Sequence, residues 1–400
     1  MVACSIQAVF VDTVLVLLWA RQVLLWWAGL RFLQRPSQLP LVTPPTAGVS
    51  VIVPAFNEAG GIGAALRALA AGSLLPIEVI VVDDGSRDAT AELAQAELAS
   101  FAHGLLVRHA VNQGKAAALN TGLQHCSAEL VLAIDADTRL KPEALAAAVC
   151  RLQAADVDAV AFLLEATHGR QGITQLQRQE YLCALNIDRA GQAALGAIAI
   201  LPGAATLFCR SALERTPFSP RTCTEDADLS LSFSRQGLRF SLAHGSWATT
   251  FVPTSFAALL RQRSRWIRGH LQCLWWHGSP RGVAAGRFRL LTFPNFAVAT
   301  LLPLMAAVIA ATLWATRHSC QLGISWAEAL VVSLALVYAQ RLSCWFALPP
   351  AQRPALIALI LEPLLSALIA SLATLSAIVT LVTNAVQRRG HQESRWHPSR

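Results

Sequence analysis

Lysine is almost missing from this 400-residue chain. Lys115 and Lys141 are its only two lysines, so the excess behind a formal net charge of +8 is carried by arginine. Charged residues are scarce, at 14% against 54% hydrophobic, and a mean hydropathy of +0.47 is too high for an ordinary soluble protein. That combination argues against nucleic acid as a partner: the arginines read as flanks of membrane spans facing anionic lipid. No CxxC pair occurs among the nine cysteines, and their number is odd. A zinc site and a disulfide framework are thereby excluded, which leaves small core residues. Internal repeats and low-complexity tracts are also lacking, apart from an alanine bias, so the length calls for two or three unlike domains. No basic stretch precedes the apolar run at 9–30, which is therefore not read as a secretory signal.

What is present divides the chain. Residues 1–35 hold one candidate transmembrane helix, flawed by Asp12 and Arg21. An unpaired arginine at its centre costs roughly 2.5–3.5 kcal/mol on an insertion scale. Arg31 and Arg35 follow and favour a cytoplasmic location for what comes next. Residues 36–48, with four prolines, read as a linker. Over 49–254, apolar strands at 49–54, 78–83, 105–107, 130–134, 158–164 and 205–208 alternate with helical stretches at 59–71, 88–101, 115–125 and 142–154. That alternation predicts an α/β domain with a mostly parallel sheet. Residues 255–290 begin with a basic amphipathic helix suited to a membrane interface. Candidate spans follow within 291–386, at 293–316, 324–348 and 355–386, the last interrupted by Glu362-Pro363. Three spans put the C-terminus outside, whereas the basic tail 387–400 favours the cytoplasm.

Three apolar strands run into polar clusters: Asn57/Glu58, Asp83/Asp84 and Asp135/Asp137. In a parallel sheet all three meet at one edge, where open α/β sheets bind ligands. Asp135 and Asp137 share one side if the extended form persists, and paired carboxylates there suit a divalent cation holding a phosphate. A solvated acidic turn is the alternative. Asp83 or Asp84 can accept from a base or ribose, although Asp-Gly-Ser is also an ordinary turn. Lys115 stands where a helix begins and can meet a diphosphate, or it is a surface lysine. Asp226, in Thr224-Glu225-Asp226 ahead of a helix, fits a general base if Thr224 takes the cap, and a plain N-cap otherwise. Gln262, Arg265 and Trp266 at i, i+3 and i+4 share one helix face. They fit a sugar and a diphosphate, or an interfacial tryptophan.

Taken in order, Val-Ile-Val-Pro-Ala-Phe-Asn-Glu (51–58), Val-Asp-Asp-Gly-Ser (82–86), Asn-Gln-Gly-Lys-Ala-Ala-Ala-Leu-Asn (112–120), Asp135-Ala136-Asp137, Pro202-Gly203-Ala204, Thr224-Glu225-Asp226 and Gln262-Arg263-Ser264-Arg265-Trp266 resemble a membrane-embedded family 2 glycosyltransferase. Within that family the pattern is similar to processive polysaccharide synthases, those of poly-N-acetylglucosamine, chitin oligosaccharide, hyaluronan and cellulose. The resemblance spans about 49–270 and implies a GT-A (Rossmann-like) domain, a UDP-sugar donor and Mg²⁺ or Mn²⁺. It implies Pro54, Asn57, Glu58, Asp83, Asp84, Lys115 and Asp135 at the donor, with Asp83 and Asp84 near uridine and Lys115 near the diphosphate. Asp137, with Asp135, would hold the metal. Asp226 would be the base, and Gln262, Arg265 and Trp266 would form the QxxRW motif at the acceptor end and the diphosphate. It further implies a polysaccharide or lipid-linked acceptor, contact with membrane lipids, room for a small membrane partner subunit, and a catalytic domain on the cytoplasmic side of a bacterial inner membrane. N-acetylglucosamine is the sugar the pattern favours. Transfer to a lipid and a catalytically silent membrane subunit are the competing expectations. A single N-terminal span departs from relatives that often show two.

Overall fold

A computed structural model describes residues 2–34, 48–167, 169, 172–279, 285–316 and 324–386. The expected linker at 36–48, apart from Gly48, and the basic tail lie outside the described residues. Strands β1 (Val49–Ala55), β2 (Glu78–Asp83) and β4 (Leu130–Ile134) are the apolar runs of the sequence. Their side chains are buried along almost their whole length, as strands covered by helices on both faces must be. Helices α2 (Ile62–Ala70), α3 (Thr90–Leu98), α4 (Lys115–Gln124) and α5 (Ala144–Ala155) follow in the expected alternation.

Among the described residues the sheet has eight strands in the order β3-β2-β1-β4-β7-β6-β8-β5, adding β3 (Gly104–Arg108), β5 (Arg139–Leu140), β6 (Ala159–Ala166), β7 (Ala205–Cys209) and β8 (Phe240–Thr250). β1 pairs in parallel with both β2 and β4, and β2 with β3. The second half is mixed: β7 runs antiparallel between β4 and β6, and β5 pairs antiparallel with β8. β6 and β8 pair in parallel, so the sheet is mostly parallel, as the alternation predicts, with β7 and β5 as its antiparallel strands. Chain order reverses between β1 and β4, the topological switch point at which such sheets bind ligands. Because β7 is reversed, its start at Ala205 lies at the same edge as the ends of β1, β2 and β4.

Between β6 and β7 the chain forms α6 (Gly172–Glu180), a π turn at Tyr181–Leu185 and α7 (Asn186–Ala194). α1 (Val2–Gln34) crosses α7 at two glycines. A Cβ on Gly29 would meet Ile187 O at 2.3 Å, and one on Gly191 would meet Leu25 O at 2.3 Å. Small residues are what allow two helix backbones to approach so closely. Gly191→Leu is expected to force this crossing apart and to lower stability by about 1–3 kcal/mol, the usual cost of overpacking. Thermal unfolding of the detergent-solubilised full chain reads the loss; an unshifted transition would show that the crossing carries no stability.

Four helices among the described residues are long and apolar enough to cross a membrane: Val9–Gln34, Phe288–Thr312, Ala327–Ala347 and Leu356–Asn384. They belong to α1, α11 (Phe293–Thr316, entered through a π turn at Phe288–Thr292), α12 (Trp326–Ala347) and α13 (Leu356–Val386). Pro363 does not split the last segment as expected, since α13 is continuous through it. Glu362 is buried and accepts from Arg341 Nε at 2.8 Å. Arg21 donates to Asn295 Oδ1 at 2.9 Å, and Gln22 to Gln340 Oε1 at 2.7 Å. The polar flaws in the apolar runs are therefore contacts between helices, the usual place for such groups in a bilayer. The cysteines whose side chains are described are all free.

Candidate active site

The three strand ends meet as the sequence implies, but their acids do different work. Asp83 and Asp84 are fully buried. Asp83 accepts from Ser86 N at 2.9 Å and Arg108 Nε at 3.0 Å. Asp84 lies 2.7 Å from His109 Nδ1 and accepts from Gln113 N at 2.9 Å and Gly114 N at 2.8 Å. These bonds shape the loop that opens α4 and so fix where Lys115 starts its helix. Asn57 sits in the left-handed region at φ 55°, and its Oδ1 accepts from Arg87 N at 2.9 Å. Pro54 lies within β1, paired with Val82.

β4 ends at Ile134. The extended form does not persist to Asp137 as expected, because Thr138 N donates back to Asp135 O at 3.0 Å and closes a turn. Both acids still face a cavity of about 290 Å³. Glu58, Lys115, Asp226, Gln262, Arg265 and Trp266 line the same cavity, whereas Pro54, Asn57, Asp83 and Asp84 do not. Among the described residues, no group of three or more His, Cys, Asp or Glu side chains converges on a metal position.

Lys115 is the centre of charge. Its Nζ is 2.5 Å from Asp135 Oδ1 and 3.2 Å from Glu225 Oε1. Burial works against the ammonium, but Asp135, Glu225 and Asp226 outweigh it and hold Lys115 above the ordinary lysine range. Burial pushes the Asp135 carboxyl up in spite of Lys115. Burial also opposes the charge of Glu225, yet Lys115 and Arg265 bring it below its ordinary value. Asp226 goes the other way, raised by burial and then by neighbouring Glu225.

Asp226 lies in the first turn of α9 (Glu225–Arg235). Thr224 occupies the cap position, but its side chain makes no capping bond, contrary to the expectation that it would free Asp226. The carboxylate itself accepts, from Ala227 N at 2.8 Å and Gly203 N at 3.0 Å. Gly203 leaves little room at this point: a Cβ there would lie 3.0 Å from Asp226 Oδ2 and 3.1 Å from Lys115 Nζ, so any larger residue would make these side-chain ends shift.

α10 (Phe256–His277) is the expected amphipathic helix. Arg265 donates to Cys223 O at 3.2 Å and Gln272 accepts from Cys223 N at 2.9 Å, so this helix positions the segment that carries Asp226. The Arg263 guanidinium lies 4.2 Å from the Trp266 ring centroid and donates to Glu180 at 2.8 Å. Tyr181, Arg189, Glu225, Arg268 and His270 also line the cavity and were not singled out from sequence. For Glu225 the signal was its place inside Thr224-Glu225-Asp226. For Tyr181 and Arg189 the available signal was the helical apolar period of the stretch 172–194, where both α6 and α7 are amphipathic.

The sheet order and this acid-lined switch point are those of a GT-A-like fold. Residues 50–216 match the model of Glycosyl transferase family 2. An N-acetylglucosaminyltransferase of Mesorhizobium japonicum is 32% identical over 254 residues, 58% of this chain and 60% of that protein. A poly-beta-1,6-N-acetyl-D-glucosamine synthase of Staphylococcus aureus is 27% identical over 239 residues, 56% of this chain and 54% of that protein. The chain thus spans between about half and 60% of the length of these curated relatives. A mannosyltransferase from Pyrobaculum calidifontis, solved in complex with GDP-Man and Mn²⁺, shares the fold at a TM-score of 0.63. It is 22% identical, with 93% of this chain and 98% of that one covered.

Proposed function

We propose that this chain is an inverting, metal-dependent transferase that moves N-acetylglucosamine from a UDP-sugar to a growing polysaccharide on the cytoplasmic side of a bacterial inner membrane, coupled to export. The observation that carries the reading is one cavity. It gathers a carboxylate at a helix start (Asp226), a lysine among acids (Lys115), the Asp135/Asp137 pair and the Gln262/Arg265/Trp266 face, in a domain flanked by apolar helices. The N-acetylglucosaminyltransferase relatives point to the sugar.

In this reading Asp226 takes the proton of an acceptor hydroxyl as its oxygen attacks the anomeric carbon. The carbon–oxygen bond to UDP breaks with its electron pair on the leaving diphosphate, and a single displacement inverts the centre. Lys115 and Arg265 supply positive charge for the diphosphate, and Trp266 offers a ring face to the acceptor sugar. Asp137, with Asp135, would hold Mg²⁺ or Mn²⁺. The donor set fits a cation that takes one or two carboxylates and completes its shell with substrate phosphates and water. When bound, the ion neutralises charge developing on UDP. Asp83 and Asp84 act at the uridine end by shaping the loops around it. The four apolar helices offer a route for the product and sites for lipids and for a small partner subunit.

The same helices also favour a second reading, a single transfer to a lipid acceptor. A screen of UDP-sugars against membranes holding the chain, reading UDP release and product size together, separates the cases. UDP release from UDP-N-acetylglucosamine with a ladder of products is the expected result. A single glycolipid would establish the second reading, and no UDP release from any donor would mark a silent subunit.

A further inference from the structure

Trp266 lines the cavity, but the torsions of a tryptophan do not by themselves fix its ring, because χ2 lies in a broad, roughly two-fold well. A neighbour has to set the direction of the indole. Arg263, one turn earlier on α10, does so. Its guanidinium lies 4.2 Å from the ring centroid, well inside the reach of a cation–π contact, and it occupies one face of the indole. A flat ring so covered has one face left to give to a sugar.

Arg263 needs holding in its turn, since a free arginine side chain samples many rotamers. Its Nη2 donates to Glu180 Oε2 at 2.8 Å. The two side chains are largely shielded from water, with 11% and 19% of their surfaces exposed. A charge-assisted bond of this length is both strong and directional, and shielding spares it the screening that weakens surface pairs.

Glu180 is fixed by the element that carries it. It is the last residue of α6, directly before the π turn at Tyr181–Leu185. π turns are frequent at functional sites, and this one starts with Tyr181, which lines the cavity. α6 is tied down at two further places. Arg178 donates to Glu165 Oε1 at 3.0 Å and to Gln352 O at 2.8 Å, and Gln177 donates to Pro253 O at 2.7 Å. A continuous series of contacts therefore runs from β6 through α6 and Glu180 to Arg263 and the Trp266 ring.

We infer that Glu180 is a positioning residue for the acceptor: through Arg263 it keeps one face of Trp266 covered and turns the other toward the acceptor sugar. The inference rests on the transferase reading above, in which Trp266 meets the acceptor. It gives Glu180 an effect on acceptor binding and none on the donor.

The test uses the full chain in detergent, with UDP-N-acetylglucosamine as donor and a soluble tetramer of N-acetylglucosamine as acceptor. Glu180→Gln keeps the shape and one acceptor oxygen but not the charge, and is expected to raise the acceptor KM about fivefold. Glu180→Ala and Arg263→Ala should each raise it about 10- to 100-fold, the order expected when a charged hydrogen bond becomes a neutral one and then none. The donor KM and the affinity for UDP should stay within about twofold, which also reports that the variants are folded. Adding Glu180→Ala to Arg263→Ala should raise the acceptor KM no further, because two residues that act through one contact are not additive. If the alanine variants do not bind UDP, Glu180→Gln decides alone. For that variant an unchanged acceptor KM overturns the inference, and so does a donor KM or UDP affinity that worsens in step, which would make the pair merely structural. Effects that multiply in the double variant overturn it too, since Glu180 would then act by a route other than Arg263. If the unsubstituted chain turns over no UDP-sugar at all, the transferase reading fails and the inference falls with it.

Discussion

Asp226→Asn is expected to lower the rate of sugar transfer by roughly 10²–10⁴-fold, the range for losing a general base, while UDP binds as before. The amide keeps the size of the side chain but has one acceptor oxygen, so it can keep only one of the two bonds that hold the carboxylate, from Ala227 N to Oδ1 and from Gly203 N to Oδ2. It also loses the capacity to take a proton. A pH profile adds a second arm. Burial and Glu225 raise the Asp226 carboxyl above its ordinary value, which is about 3.9 for a free aspartate. The base works only when unprotonated, so transfer should be full at high pH and fall as pH drops through this raised value. The acid limb should therefore lie above the usual carboxylate range. Substantial polymer formation by Asp226→Asn would remove Asp226 from the role of base.

Asp137→Ala is expected to cost about 10²–10³-fold in transfer, the scale for losing one pre-placed electrostatic contact to a developing charge. It should also shift the Mg²⁺ or Mn²⁺ titration to higher concentration. Asp135 is a weaker candidate for this result, because its Oδ1 is taken up by Lys115 at 2.5 Å. Few protein carboxylates are available for the ion, so removing one should be felt strongly. Isothermal titration of UDP with and without the metal checks the outcome: metal-assisted UDP binding that survives Asp137→Ala unchanged would rule out Asp137 as the ligand.

Much of this was legible in the sequence where one physical rule governs a whole segment. Buried strands such as 78–83 and 130–134 announce themselves as unbroken apolar runs, and the spans at 293–316 and 355–386 by their length. β8 was not seen, because Phe240–Thr250 mixes Ser, His, Gly and Trp with its apolar residues and owes its form to pairing with β6. α6 and α7 were missed for a related reason. Some of their polar residues are held by partners elsewhere in the chain, as Arg178 is by Glu165 and Gln352 O. The strand-end acids were correctly gathered at one edge, but no local pattern distinguishes Asp84, consumed by a loop, from Asp226, which faces the cavity. That difference depends on backbone N–H groups distant in sequence, Gln113 and Gly114 for Asp84 and Gly203 beside the adjacent Ala227 for Asp226.

The close crossing of α1 and α7 bears on how this protein can be handled. Removing the first thirty-four residues would not release a self-contained soluble catalytic domain. It would uncover the backbone groove around Gly191 and the apolar surface of Ile187 against which Trp26 and Leu30 pack. The first helix is a wall of the reaction domain as much as an anchor, and a shortened chain would behave as a wounded fold before it behaved as a detached enzyme.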